Sequence, residues 1–169
     1  MSVSMYSFSA PVFARMLGNL LTWLEKAEAH AQAKKWDVNQ LLTARLAPDM
    51  LPFSAQIQIA SDAAKLGVAR LAGVEAPKFA DEEKTLTELK ERVRKTIAFV
   101  QSVPAAKLEG TEDKDITVPV RDRSLVFKGE VFLKSFSLPN FFFHVTTTYA
   151  LLRHNGIELG KMDYLGAPQ

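Results

Sequence analysis

The sequence contains no cysteine. That excludes disulfides, zinc fingers, thiolate nucleophiles and iron–sulfur clusters. It has only three histidines, so imidazole chemistry falls on His30, His144 or His154. It has no apolar run approaching the ~20 residues that a membrane-spanning helix needs. The N-terminal stretch MSVSMYSFSAPVF lacks a basic segment followed by an apolar one, so no secretory leader is expected. It has no excess of one charge sign: 21 basic against 19 acidic side chains leave a net charge of +2. The signs alternate locally, as in Glu82-Glu83-Lys84 and Lys90-Glu91-Arg92, which predicts solvated helix faces and no nucleic-acid partner. These absences point to a cytoplasmic protein. Internal repeats and low-complexity segments are also lacking.

What is present is helical periodicity. The chain has 169 residues, of which 47% are hydrophobic, enough for one domain spanning 1–169 with a substantial core. Phe13, Leu17, Leu20, Leu24, Ala27 and Ala31 recur at steps of three and four, after Ser7, Ser9 and Pro11. The spacing predicts a helix over about 8–34. Asp37 is placed to cap a short helix through Leu42, and Asp49 to cap the next one. That second helix, about 52–72, carries Ile57, Ala60, Ala64, Gly67 and Leu71 on one face and stops at Gly73. Its small residues invite close approach of a neighbour. Thr85 followed by Glu88 has the spacing of a capping box. Leu86, Leu89, Val93, Ile97 and Val100 then mark a third helix, which ends near Pro104.

Ile116 to Val120 and Ser124 to Phe127 alternate with a period near two, which predicts a short exposed β-hairpin with Arg121-Asp122-Arg123 between the strands. Pro119 makes its strand an edge. Gly129 to Ser137 reads as a helical turn or short helix leading into Pro139. The last long helix runs from about Pro139 to His154 and stops at Asn155-Gly156. The fold class expected is all-α: an antiparallel four-helix bundle with a small inserted β-hairpin near 115–128.

The last helix also holds the candidate site. His144 stands on its apolar circumference, with Thr148 four residues on and therefore on the same face. A buried imidazole needs hydrogen-bond partners. Gln58, Asp62 and Thr148 are the candidates, with Gln56 a further polar group of the second helix. His154 lies in the last turn, where a cation meets the negative helix end. His30 reads as a surface residue. The hydroxyls of Thr146, Thr147 and Thr148 are expected to bond back to backbone carbonyls. Phe141-Phe142-Phe143 reads as core, and Asn140 as a partner of early helix amides. Gly156 to Lys161 lacks the spacing and context of a phosphate loop.

The segments MSVSMYSFSAPVF, LLTARLAPDMLPFSAQIQIASDAAK and LPNFFFHVTTTYALLRHNG resemble the domain of unknown function 1993 (DUF1993). That family looks like a branch of the DinB/YfiT-like superfamily of four-helix bundles. The resemblance spans nearly the whole chain. It implies a bundle fold, frequent dimerisation and, in known members, metal-dependent thiol transfer. The superfamily's metal site takes one His from the second helix and two from the last, four residues apart. His144 matches the first of those two positions; Thr148 stands at the second. The second helix holds no histidine.

Zinc and nickel favour imidazole ligands, so no metal cofactor is expected. Should zinc or nickel bind, His144 and Asp62 are the candidate ligands. Two functions follow from this reading. One is a metal-free small-ligand-binding or interaction protein, homodimeric, with a pocket around Gln58, Asp62, His144 and Thr148. The other is a divergent thiol-dependent transferase, metal-assisted or not, with His144 as its catalytic residue.

Overall fold

The apolar stripe of the first helix is buried along its length in the computed structural model, which describes residues 3–120 and 122–167. Helix α1 (Ala10–Lys34) places Phe13, Leu17, Leu20, Leu24 and Ala27 in the core. Phe13 and each of the three leucines contribute roughly 1.5–3 kcal/mol on leaving water. Pro11 sits in its first turn, where its missing N–H costs nothing. Ser9 precedes the helix without capping it; its hydroxyl donates instead to the Met5 carbonyl. Asp37 accepts from the Asn39 N–H and opens a tight helical turn, Val38–Thr43.

Helix α2 (Phe53–Ala72) begins after Pro52, so Asp49 does not cap it. Asp49 lies exposed in the preceding turn, and Pro52 supplies the extended residue at which the helix starts. Gly73 closes it with φ of 67°. Helix α3 (Leu86–Ser102) carries the complete capping box of Thr85 and Glu88. Its charged residues are not all solvated as the local alternation predicts. Lys90 and Arg92 are buried, because each reaches an acid on a neighbouring segment: Glu28 on α1 for Lys90, and Asp62 on α2 for Arg92.

Strands β1 (Asp115–Val120) and β2 (Arg123–Lys128) pair antiparallel, from Asp115 opposite Lys128 to Val120 opposite Arg123. Arg121, in the expected turn, lies outside the described residues. The hairpin is less exposed than expected. Ile116 and Val118 are buried, while Asp115, Thr117 and Pro119 face out. Period-two alternation puts the two apolar residues on one face, and that face is laid over α2.

A continuous helical segment follows the hairpin. It consists of α4 (Gly129–Phe132), a widened π turn (Leu133–Ser137) and α5 (Leu138–His154). In the π turn the Leu138 N–H bonds the Leu133 carbonyl, five residues back. Pro139 comes next. It has no N–H to give and its ring crowds the carbonyl four residues earlier. A wide turn relieves that crowding without ending the helix. Helix α6 (Lys161–Leu165) closes the chain.

Among the described residues the molecule is mostly helical, with six α-helices and one two-stranded hairpin. Four of the helices are long; the short α4 and α6 were not among the expected four. Helix α2 packs between α3 and α5, and α1 lies against α3 and α5. The C-terminal segment is tied to α1: Trp23 stacks on Tyr164, and its Nε1 donates to the Asp163 carbonyl at 2.9 Å. No described helix is long and apolar enough to cross a membrane.

Candidate functional site

Helices α2 and α5 meet along small residues of α2. Ala60, Ala64 and Gly67 are buried there, and a Cβ on Gly67 would stand 2.4 Å from the Ser137 hydroxyl. That close contact fixes what each polar side chain of α2 can reach.

Gln56 faces α5. Its Nε2 donates to the Leu51 carbonyl at 3.0 Å, which turns Oε1 towards the His144 ring. Oε1 lies 2.7 Å from His144 Nδ1. An amide oxygen only accepts, so Nδ1 carries the proton and Nε2 keeps its lone pair. No described residue bonds Nε2. Burial pushes the His144 imidazole below its ordinary value, so it is neutral at pH 7. The Thr148 hydroxyl, fully buried, donates to the His144 carbonyl at 2.9 Å. The back-bonding expected of this helix is thus present, and Thr147 repeats it on Phe143.

Gln58 and Asp62 face α3 instead. Gln58 donates to Glu83 at 2.8 Å. Asp62 takes Arg92 at 2.8 Å and Lys65 at 2.9 Å. The Arg92 guanidinium is the hub of this cluster. Besides Asp62 it binds Glu83 at 2.9 Å and Asp81 at 2.6 Å, and it stacks 4.9 Å from the Phe79 ring. Burial alone would weaken both charges. The opposed charges outweigh it, holding Glu83 below the usual carboxylate range and raising Arg92. The structure therefore brings His144 and Thr148 together with Gln56, and gathers Gln58 and Asp62 elsewhere, around Arg92. Arg92 and Glu83 were not among the sequence candidates. The available signal was that Arg92 falls between Leu89 and Thr96 on the buried stripe of α3.

The three-imidazole metal site implied by the resemblance does not fit these residues. The second-helix group opposite His144 is an amide whose oxygen already accepts the Nδ1 proton. The residue at the fourth position beyond His144 is a hydroxyl bonded to backbone. Asp62 is committed to two cations. Among the described residues no three His, Cys, Asp or Glu side chains are grouped to hold a metal ion.

The remaining sequence candidates are dispersed. His154 is exposed in the last turn of α5, and His30 is half-buried edge-on to Trp36. Phe141 is buried, whereas Phe143 is 57% exposed. Asn140 lines a cavity that no sequence signal indicated. The cavity, about 200 Å³, lies between α2, β1, the π turn and the start of α5. Ile59, Leu66, Val118, Phe132 and Phe136 supply apolar wall; Arg70, Ser137 and Asn140 supply polar side chains.

A crystal structure described as a DinB family member protein from Shewanella denitrificans is similar to this chain, with 40% identity and a TM-score of 0.87. The match covers 96% of this chain and 92% of that one. No curated protein matches. The model of the family described as "Domain of unknown function (DUF1993)" matches residues 5–165, and the chain belongs to that family.

Proposed function

We propose that the four long helices form a DinB-like four-helix bundle whose role is binding a small molecule without a metal. The observation that supports this most directly is the Gln56–His144 hydrogen bond at 2.7 Å. It satisfies the Nδ1 proton of the buried imidazole with an amide where metal chemistry of the superfamily would need a second imidazole. The test is elemental analysis of untagged protein after incubation with zinc and with nickel, alongside a fragment screen by ligand-observed NMR. Fragment binding by metal-free protein is the expected result. Near-stoichiometric metal that is lost in His144→Ala would refute the metal-free part of the reading, and absence of any binding fragment would refute the rest.

One observation favours a second reading. His144 Nε2 has no bonding partner among the described residues, and the ring is neutral. That is the state of a general base, and it suits a transferase that deprotonates a thiol cosubstrate. Turnover with low-molecular-weight thiols, abolished in His144→Ala, would establish it. Cytoplasmic residence and homodimerisation belong to the first reading. Exposed Phe143 offers apolar surface for a second copy, and light scattering of the eluted protein measures the mass directly.

A further inference from the structure

We infer that the cavity between α2, β1 and the π turn binds a small monocarboxylic acid with a compact apolar body, its carboxylate held by Arg70. This rests on the small-molecule-binding reading and gives it a place and a ligand class.

Three features of the chain converge there. The first is an unpaired cation. Lys65, Lys90 and Arg92 each face an acid within 3 Å. The Arg70 guanidinium, half-buried on the same helix as Lys65, has neither an ion pair nor a hydrogen bond among the described residues. Burial lowers its pKa with no opposing carboxylate to restore it. A carboxylate arriving from solution would supply the missing counter-charge, in the two-pronged geometry a guanidinium favours.

The second is an orphaned hydroxyl. Ser137 is 3% exposed and lines the cavity, yet its Oγ has no hydrogen-bond partner among the described residues. An unsatisfied buried hydroxyl is costly, and a ligand oxygen removes that cost. The Asn140 side chain, also without a partner among the described residues, adds an amide donor at the same wall. Asp62, the one acid on the lining, is already paired with Arg92 and Lys65 and leaves the site's charge positive.

The third is the shape and chemistry of the rest. Phe132, Phe136 and Val118 present rings and a branched chain to the interior. An apolar cavity of about 150 Å³ accepts a benzene ring. The volume here, about 200 Å³, therefore has room for a ring or short chain and one carboxylate, and is too small for a drug-sized ligand. Apolar walls disfavour a fully hydrated phosphate, whose oxygens would outnumber the donors.

The experiment is isothermal titration and NMR shift mapping of the full chain with benzoate, phenylacetate and hexanoate. Benzamide serves as the neutral isostere and inorganic phosphate as the competing anion. At least one carboxylate is expected to bind, with benzamide about tenfold weaker or worse. Arg70→Gln should weaken the carboxylate by about 10–100-fold, the range of a lost charge-assisted bond. Ser137→Ala should weaken it severalfold. Arg70→Gln should leave the melting temperature near wild type and Ser137→Ala should leave it unchanged or raise it, because neither side chain has a partner to lose among the described residues and the serine hydroxyl is itself unsatisfied.

Carboxylate binding unchanged in both variants would overturn the site while leaving the binding reading intact. Phosphate binding as tightly as the carboxylates would overturn the ligand class. No carboxylate binding at millimolar concentration would overturn the inference; only a further failure of every neutral fragment would overturn the underlying reading as well.

Discussion

Substituting Gly129 by alanine should unfold this protein more readily than its mild chemistry suggests. A Cβ built there falls 1.9 Å from the Thr111 carbonyl oxygen and 3.0 Å from its carbon. Real contacts of this kind stay above about 3 Å, so the backbone must separate by roughly 1 Å. It is not free to do so. The Thr111 carbonyl accepts from Lys114 at 3.2 Å, and the Glu130 N–H donates to Glu112 at 2.9 Å. Disrupting one or two such bonds costs about 0.5–1.5 kcal/mol each, and the overpacking strain adds about 1–3. Against this, alanine gains up to about 1 kcal/mol of helix propensity.

The net expectation for Gly129→Ala is a loss of about 0.5–6 kcal/mol, centred near about 3, which is about 6–12 °C in melting temperature for a chain of this length. Gly18→Ala is the control. It lies within α1 with nothing within 4 Å of its added Cβ, so it should stabilise by about 0.5–1 kcal/mol. Urea unfolding followed by circular dichroism measures both, with the slopes checked for equality. A Gly129→Ala midpoint within error of wild type would refute the close approach of the 111–112 turn.

Other expectations concern the polar clusters. Arg92→Met should cost about 3–5 kcal/mol, because it leaves the largely buried Glu83 without a cation and Asp62 with Lys65 alone; a neutral result in chemical denaturation would show the cluster to be dispensable. Glu83 has a depressed pKa in the folded state, so its contribution is present above its unfolded value and fades as pH falls through the folded one. The acid limb of a stability–pH curve should therefore flatten in Glu83→Gln, and an unchanged limb would contradict the Arg92 pairing.

His144 is also depressed, in the sense that disfavours its charged form. Its imidazole signals should show a neutral ring persisting below the ordinary pKa near 6.5, with stability lost as pH falls past that point; titration at or above 6.5 would refute its burial. Gln56→Ala should cost about 1–3 kcal/mol by stranding the Nδ1 proton. An unaltered denaturation midpoint would mean that water replaces the amide.

The helices were legible because their stripes are long. Six matched apolar positions in α1 fix both its extent and its buried face. The capping box of Thr85 and Glu88, and Gly73 with its left-handed φ, are local chemistry that needs no tertiary knowledge. The site was legible only in part. His144 and Thr148 share a face by spacing alone. Gln58 and Asp62 also share one, four residues apart. Gln56 is two residues from Gln58, about 200° around the helix, so the two amides cannot serve the same neighbour. Which set meets α5 depends on how α2 is rotated in the bundle, and a single stripe does not define that angle. Arg92 was hidden for another reason. A long charged side chain reads as solvated unless its partners are known, and Asp62 and Asp81 lie 30 and 11 residues away in sequence. The hairpin's depth depended on α2 beneath it, and the cavity on the meeting of α2, β1 and the continuous α4–α5 segment.

The π turn before Pro139 acts as a phase shifter. A turn that closes five residues back holds one residue more than an ordinary helical turn. Everything upstream of it is therefore advanced by about 100° relative to an uninterrupted helix. Helix α4 and the hairpin are thereby swung to the side where Val118 and Phe132 line the cavity beside α2, while α5 keeps His144 on Gln56. Deleting a single residue between Leu133 and Ser137 would leave every downstream contact nominally intact and rotate the hairpin out of register with the core. A one-residue length change at this place would be felt as a change of angle, with the cavity the first feature to vanish.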